Sequence, residues 1–394
     1  MAQHPLSAIR VRMRARDRAE PHRVSSPLEL LFDLTFVVAI AQVAAQLAHS
    51  IAEGHELSSV FPYLMAFFAI WWAWMNFTWF ASAYDTDDVP YRLLTMLQMG
   101  GVLTLAAGVG PAVADQDYRT ITIGYAIMRV ALAAQWLRAG IEHPEGRKTA
   151  IRYAGAVVVV QLLWWSRLLL PDPFGIIFLV LAAMELSIPP WAERTGRTNW
   201  HPHHIAERYG LFTIILLGES VLAATAGVQG SVNTGDAGWP LIGIAVSGLV
   251  LLFALWWLYF LEPAGGGLEA KRHLSFLWGY GHYGIFASLA AIGAALEVAV
   301  EMAGHHTEVS ASAVGLALAV PVAVFLGLLW GLNAPLLERN AIRPVVILPA
   351  AALVVFVGLA ADALGVIAAV ALIALLCAAV VAVTLLKQAR AAHA

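Results

Sequence analysis

The feature that most constrains this chain is a series of long apolar runs separated by short polar loops. There are about twelve runs of roughly 17–27 residues, and each is long enough to cross a ~30 Å hydrocarbon core as a helix. Only 12% of the 394 residues are charged and 60% are hydrophobic, whereas a soluble domain has about 25% charged residues. We therefore predict an all-α polytopic membrane protein. The predicted spans are 28–49, 60–83, 91–113, 118–139, 149–170, 174–190, 204–226, 239–262, 274–300, 309–333, 343–360 and 364–386.

The distribution of Lys and Arg predicts the orientation of these spans. With the N-terminus inside, most basic residues fall on cytoplasmic loops, and Arg119 and Arg167 are the exceptions. Because one helix more or fewer would destroy this asymmetry, we expect an even number of spans in the cytoplasmic (inner) membrane, with both termini cytoplasmic. The basic segment 1–26 is predicted to be a flexible cytoplasmic tail near anionic headgroups, or a topology signal alone. The first helix is expected to remain as a signal anchor.

Several classes of protein receive no support. The net charge of −3 is close to neutral and gives no reason to expect nucleic acid binding. The single cysteine, Cys377, excludes a disulfide framework or a multi-cysteine metal site within one chain. No nucleophile has an adjacent base and no metal ligand set is complete, so neither an enzyme nor a bound cofactor is predicted.

An internal repeat is also predicted. The first span, SPLELLFDLTFVVAIAQVAA, aligns with the seventh, IAERYGLFTIILLGESVLAA, and Trp71-Trp72 recurs as Trp256-Trp257. An even number of helices per half would give parallel repeats related by an axis along the membrane normal, with sites between the halves. We therefore predict two six-helix halves, 27–200 and 201–394. The alternative is that Trp-rich apolar helices align by chance.

Three sequence blocks resemble a known family. They are SPLELLFDLTFVVAIAQ at Ser26–Gln42, WWAWMNFTWFASAYDTDDVPYRLLTMLQM at Trp71–Met99 and ERYGLFTIILLGESVLA at Glu207–Ala223. Together they are similar to the bacterial low temperature requirement protein A (LtrA) family. The resemblance implies an integral inner-membrane protein linked to growth in the cold in some bacteria, with no assigned substrate or catalytic residues.

Glu219 is an acid within the membrane-length stretch from His203 to Ala226. An ionised carboxylate there costs about 2.5–3.5 kcal/mol on insertion scales, so it is expected to be paired, protonated or facing a polar cavity. Arg208 falls at nearly the same angular position, and Ser220 leaves room for a second helix or an ion. We predict that Glu219 takes part in proton transfer.

Glu29 and Asp33 share a face at the start of the first span. Two such carboxylates are able to bind a cation or share a proton. The alternative is that Glu29 caps the helix, favoured by its dipole, while Asp33 pairs with an arginine of a neighbouring helix.

Arg129 lies near the middle of the fourth span, where an arginine cannot easily reach either interface. We expect it to meet a carboxylate inside the bundle, with Glu219 and Asp33 as the first candidates. Either the pair is a static structural one, or it opens during transport, or Arg129 is a cation that binds an anion.

Histidines mark two further places. His282 and Glu297 form a polar line along the ninth span that is expected to border a pathway, unless His282 is only hydrogen-bonded to a facing hydroxyl. His204 and Glu207 have the spacing of a metal pair, but further ligands and a metal motif are absent from the sequence. Interfacial histidines that cap the helix are favoured there, and no metal site is predicted.

These features predict a secondary transporter or permease with a polar site inside the membrane. Its expected partners are the lipid bilayer, a small-molecule or ion substrate, and coupled protons. The alternative is a non-transporting membrane protein that senses or maintains the membrane state during growth in the cold. The predicted pathway residues are Glu29, Asp33, Arg129, Arg208, Glu219, Ser220, His282 and Glu297.

Overall fold

The computed structural model describes residues 9–17, 20, 23–114, 116–170, 175–234, 238–304, 307, 309–337 and 341–392. Within these residues the regular structure is helical, without a strand. The α-helices are α1 (Pro27–Ala52), α2 (Glu56–Tyr84), α3 (Val89–Ala107), α4 (Val109–Ala114), α5 (Arg119–Glu142), α6 (Arg147–Arg167), α7 (Ile176–Ala192), α8 (Pro202–Thr234), α9 (Trp239–Phe260), α10 (Gly265–Ala270), α11 (Ser275–Ala303), α12 (Ala311–Leu336), α13 (Pro344–Leu359), α14 (Ala361–Leu364) and α15 (Val366–Ala392).

The predicted all-α membrane fold is confirmed at this level. Each predicted apolar run overlaps a long helix, and eight helical stretches in the described part of the chain are long and apolar enough to cross a membrane. These stretches contain α1, α2, α5, α7, α9, α11, α12 and α15. The full count of twelve spans, the six-helix repeats and the orientation of the termini stay predictions.

The predicted run 91–113 is divided into α3 and α4 at Gly108. Pro111 lacks the N–H that a continuous helix would direct at the preceding turn, which favours the break. Glycines then bring α3 against α5, since a Cβ on Gly124 would lie 2.3 Å from the Leu105 backbone nitrogen and 2.6 Å from the Gly101 carbonyl oxygen. The backbones of α3 and α5 therefore approach each other closely, as small residues permit between helices in membrane bundles.

The chain forms two compact units, which we describe separately. Unit 1 comprises Met1–Gln42 and Met65–Arg208, and unit 2 comprises Val43–Leu64 and Tyr209–Ala394. In unit 1, α5 packs against α3 and α6, and α6 packs against α7. In unit 2, α12 packs against α11 and α13, and α9 packs against α15. The predicted division into halves at residue 200 stays a prediction.

The N-terminal segment packs against helices of unit 1, to which it belongs, so the prediction of a flexible tail is wrong for its described part. We call residues 9–17, 20 and 23–26 the N-terminal strap; Arg18 lies outside the described residues. The strap's Val11 N–H donates to Asp88 (2.9 Å) and its Met13 N–H donates to Glu142 (2.6 Å). The Met13 side chain is fully buried. Carboxylates at helix ends thus accept hydrogen bonds from backbone N–H groups of the strap, which would otherwise be bonded to water.

Candidate functional site

The site begins with a capping box at the first turn of α1. The Ser26 N–H donates to the Glu29 carboxylate (2.8 Å), and the Glu29 N–H donates to the Ser26 hydroxyl (3.3 Å). These two reciprocal hydrogen bonds are the ones expected for the sequence Ser-x-x-Glu at the start of a helix. Asp33 lies one turn further along, and both acids are buried. The capping role considered for Glu29 is therefore present.

Arg208 of α8 joins these two carboxylates. Its Nε and Nη2 donate to the two oxygens of Asp33 at 2.9 and 2.5 Å, and its Nη1 donates to Glu29 at 2.8 Å. The Trp74 indole N–H also donates to Asp33 (2.7 Å). Bidentate charge-assisted bonds of this kind are the strong form of an arginine–carboxylate pair. The alternative that Asp33 pairs with an arginine of another helix is confirmed, and the proposed pairing of Asp33 with Arg129 is wrong.

His204 belongs to the same cluster. Its Nε2 lies 3.2 and 3.3 Å from the Glu29 carboxylate oxygens, and the side chain is fully buried. Glu207, which has the sequence spacing of a metal pair with His204, accepts a bond from the Ser25 N–H (3.2 Å). Within the described residues, no group of three histidine, cysteine or acidic side chains is placed to hold a metal ion. We define the ionic cluster as Glu29, Asp33, His204 and Arg208.

Arg23 and Asp85 extend the ionic cluster towards the strap. The Arg23 Nη2 lies 4.0 Å from Glu29 and 3.9 Å from Asp85, and it donates a 3.0 Å hydrogen bond to the Ala81 carbonyl. With Glu29, Asp33 and Asp85 ionised and His204 neutral, three negative charges face the two positive charges of Arg23 and Arg208. Arg16 Nη1 also lies 4.0 Å from Asp85, but Arg16 is paired with Glu20 (2.5 Å), so that pair adds no net charge. The assembly therefore carries one excess negative charge, which one added proton would neutralise.

Asp85, just beyond the end of α2, is the carboxylate of this assembly that lies outside a helix. Burial, reinforced by the negative charge of Glu29, raises the pKa of Asp85 from 3.8 to about 6. Arg23 and Arg16 act in the opposite direction, and Asp87 adds a smaller unfavourable charge. The folded protein therefore holds a proton on Asp85 at pH values where the unfolded chain has released it.

This shift predicts a loss of stability with rising pH. Because the folded-state pKa is raised, the contribution is fully present below about pH 3.8 and is lost as pH rises through about 6. Its size is on the order of 2–3 kcal/mol. Asp85→Asn removes the titration, so thermal unfolding in detergent should show the variant gaining stability over the parent between pH 4.5 and 7.5. Asp87→Asn, at an exposed neighbour, should follow the parent, and parallel profiles for all three proteins would contradict the prediction.

Arg129 forms a separate buried cluster in unit 1, and its partner is Glu185 of α7. Glu185 also accepts hydrogen bonds from Trp72 (2.9 Å), Tyr125 (2.9 Å) and Trp164 (3.2 Å). The Arg129 guanidinium lies over the Tyr125 ring, 5.2 Å from its centroid. The sequence analysis missed Glu185, although an acid inside the apolar run 174–190 is the same signal that drew attention to Glu219.

A small cavity lies beside this second cluster. Its volume is about 40 Å³, and Tyr125 and Trp164 line it together with Arg167 and Phe178. The Arg167 guanidinium stacks over the Tyr118 ring at 4.5 Å. A cavity of this volume has room for about two or three water molecules, but most of its lining is apolar.

In unit 2, Glu219 of α8 is partly exposed. Among the side chains that the structure describes, it has no hydrogen-bond or ion-pair partner. The neighbouring Ser220 is buried and meets Gly293 of α11, where a Cβ would lie 2.7 Å from the serine oxygen. This agrees with the expected close helix approach at Ser220. Glu297 of α11 lies within electrostatic range of Glu301 and Glu219, so three carboxylates lie in this region of unit 2.

His282 of α11 is held in a ring of aromatic side chains. Its Nδ1 lies 2.7 Å from the Trp278 carbonyl oxygen and its Nε2 lies 3.2 Å from the Tyr259 hydroxyl. A carbonyl only accepts, so Nδ1 carries the hydrogen and Nε2 accepts from Tyr259. The alternative of a histidine bonded to a facing hydroxyl is therefore the one observed.

Comparison with known proteins gives two matches. The family model described as bacterial low temperature requirement A protein (LtrA) matches residues 24–385. An uncharacterized protein of Rhizobium meliloti (strain 1021) is 25% identical over 295 residues, which cover 70% of this chain and 69% of that protein. The family match contains the ionic cluster and the Arg129–Glu185 pair, and it leaves most of the strap outside.

Proposed function

Because the chain belongs to the bacterial low temperature requirement A (LtrA) family, we propose that it is a proton-coupled secondary transporter of the cytoplasmic membrane. The observation that carries the proposal is the ionic cluster, in which Arg208 and two carboxylates are fully buried. A buried ion pair is weak support for stability, because desolvation offsets the attraction. Ionisable groups inside membrane helices are accordingly associated with ion and substrate pathways.

The charge imbalance supports proton coupling. The three carboxylates of Glu29, Asp33 and Asp85 outnumber the guanidinium groups of Arg23 and Arg208, while the nearby Arg16 is paired with Glu20, so uptake of one proton removes a buried charge. Glu219 and Glu297 provide a second set of acids in unit 2, and neighbouring carboxylates are able to share a proton. A small-molecule or ion substrate would move in exchange with, or together with, that proton, and the proposal contains no enzymatic step.

A second proposal is a non-transporting protein that senses or maintains the membrane state in the cold. The observation that favours it is Glu185, whose carboxylate is fully buried and bonded to Arg129, two indoles and a phenol. A charge with so many partners is a static structural element unless those bonds open together. The two proposals differ in whether protons cross the membrane.

Reconstituted protein provides the test. Proteoliposomes containing a pH-sensitive dye are exposed to a panel of small cations, anions and zwitterions, and proton movement is recorded for each compound. Glu219→Gln should lower the substrate-dependent proton flux at least tenfold, because the amide cannot carry a proton. The matched control is Glu53→Gln, since the Glu53 side chain is 52% exposed and should leave the flux unchanged. Equal flux from Glu219→Gln and the parent would exclude a coupling role for Glu219, and absence of flux across the panel would favour the second proposal.

A further inference from the structure

Arg23 is buried without a set of partners that matches its hydrogen-bonding capacity. Its side chain is 2% exposed, and among the described residues the guanidinium makes one hydrogen bond, to the Ala81 carbonyl (3.0 Å). Its Nε has no partner, and its two carboxylate neighbours are 3.9 and 4.0 Å away. Arg208, by contrast, contacts Asp33 at 2.5 and 2.9 Å. The strap therefore places a cation in this position without the close geometry of a dedicated structural ion pair.

A positive charge is needed at the place that the Arg23 guanidinium occupies. Without Arg23, the negative charges of Glu29, Asp33 and Asp85 would face Arg208 and the Arg16 guanidinium, which lies 4.0 Å from Asp85 but is paired with Glu20 (2.5 Å). With the Arg16–Glu20 pair neutral as a unit, two negative charges would be uncompensated. Uncompensated buried charges are expensive. A cation or protons must then replace the guanidinium.

Polar atoms without a hydrogen-bond partner belong to residues near the same position. The Asp85 Oδ1, the Tyr91 hydroxyl and the Ser25 hydroxyl are all buried without a hydrogen-bond partner in the described part of the chain. Tyr91 lies within electrostatic range of Asp85, Glu29 and Arg23. Oxygen atoms of this kind accept hydrogen bonds from the several N–H groups of a guanidinium or ammonium ion. The position thus offers more acceptors than Arg23 uses.

The strap that carries Arg23 is attached through separable contacts. The Arg16 N–H donates to the Ala83 carbonyl (2.9 Å), and the Ser25 N–H donates to Glu207 (3.2 Å). These two backbone bonds do not involve the Arg23 guanidinium, so an occupant could replace it while the ionic cluster remains assembled.

We propose that Arg23 occupies a cation-binding site as a tethered ligand, and that the untethered ligand of this site is a small organic cation with a guanidinium or primary ammonium group. This inference deepens the proposed function, on which it rests, by naming the class of substrate. Asp85 and Glu29 neutralise the cation, and the Ala81 carbonyl and the Tyr91 hydroxyl accept its hydrogen bonds. The strap then competes with the substrate for the same place.

Chemical rescue in detergent tests this site. Arg23→Ala should unfold at a lower temperature than the parent, and millimolar guanidinium or methylammonium chloride should recover at least half of that loss. Sodium chloride at the same ionic strength should not. Arg92→Ala is the matched control, because Arg92 forms an exposed pair with Asp87 (2.7 Å) and lacks a buried position to refill. Recovery by sodium as well, or recovery only on acidification, would overturn the proposal, since screening or protons would then replace the guanidinium.

The parent protein provides a second measurement that does not need a folded Arg23 variant. If a free cation displaces Arg23, methylguanidinium should accelerate tryptic cleavage in the strap at least threefold, relative to sodium at equal ionic strength. An unchanged cleavage rate together with failed rescue would refute the cation site. Both readouts report binding rather than flux, so proton flux with another compound would leave the proposed transport function standing while this inference fails.

Discussion

Replacement of Arg208 by methionine is expected to lower the free energy of unfolding by about 3–5 kcal/mol, the range seen when one partner of a buried ion pair is removed. Arg208 is fully buried and provides three of the hydrogen bonds that satisfy Glu29 and Asp33. Methionine fills most of the volume but leaves both acids without their cation. The loss is measured by denaturant or thermal unfolding of the purified protein in detergent.

Two further variants separate charge from geometry. Arg208→Lys keeps the charge but cannot donate to both Asp33 oxygens and to Glu29 in the same fork, so an intermediate loss is expected. Arg92→Met removes an exposed pair, in which the side chains are 45% and 48% exposed, and should cost less than about 1 kcal/mol. A loss from Arg208→Met no greater than that from Arg92→Met would show that the two acids are neutral or hydrated in the folded protein.

The helices were largely predictable because hydropathy acts locally along the chain. The predicted span 118–139 corresponds to Arg119–Glu142, and 343–360 corresponds to Pro344–Leu359. The Ser26–Glu29 capping box is similarly a local signal. The division of 91–113 was missed because the apolar character continues through Gly108, while the effect of Pro111 is on backbone hydrogen bonding.

Pairing between helices was less predictable. That Arg129 needs a buried carboxylate follows from its position in an apolar run, but the identity of the partner depends on which helices are neighbours and how each is rotated. The structure selects Glu185, while Asp33 is bonded to Arg208. The strap was missed for a related reason. Its apolar content is low, and the groups that fix it, Asp88 and Glu142, lie far away in sequence.

Glu185→Leu is expected to be more damaging than Arg129→Met, although each removes the same ion pair. Leucine leaves Arg129 as a buried unpaired cation and also removes the acceptor for the N–H groups of Trp72 and Trp164. We expect a loss of about 3–5 kcal/mol in the free energy of unfolding for Glu185→Leu. Arg129→Met leaves a carboxylate that still accepts three neutral hydrogen bonds, so its loss should be smaller.

The double variant, Arg129→Met with Glu185→Leu, distinguishes the ion pair from the rest of the cluster. It should be more stable than Glu185→Leu alone, because the unpaired cation is gone, yet less stable than the parent, because the phenol of Tyr125 and the two indoles lack their acceptor. Ala183→Leu, an exposed apolar change on the same helix α7, should stay within about 0.5 kcal/mol of the parent. Equal losses for the two single variants would mean that the hydrogen bonds from the indoles and the phenol contribute little to the free energy of unfolding. The Arg129–Glu185 ion pair alone would then account for both losses.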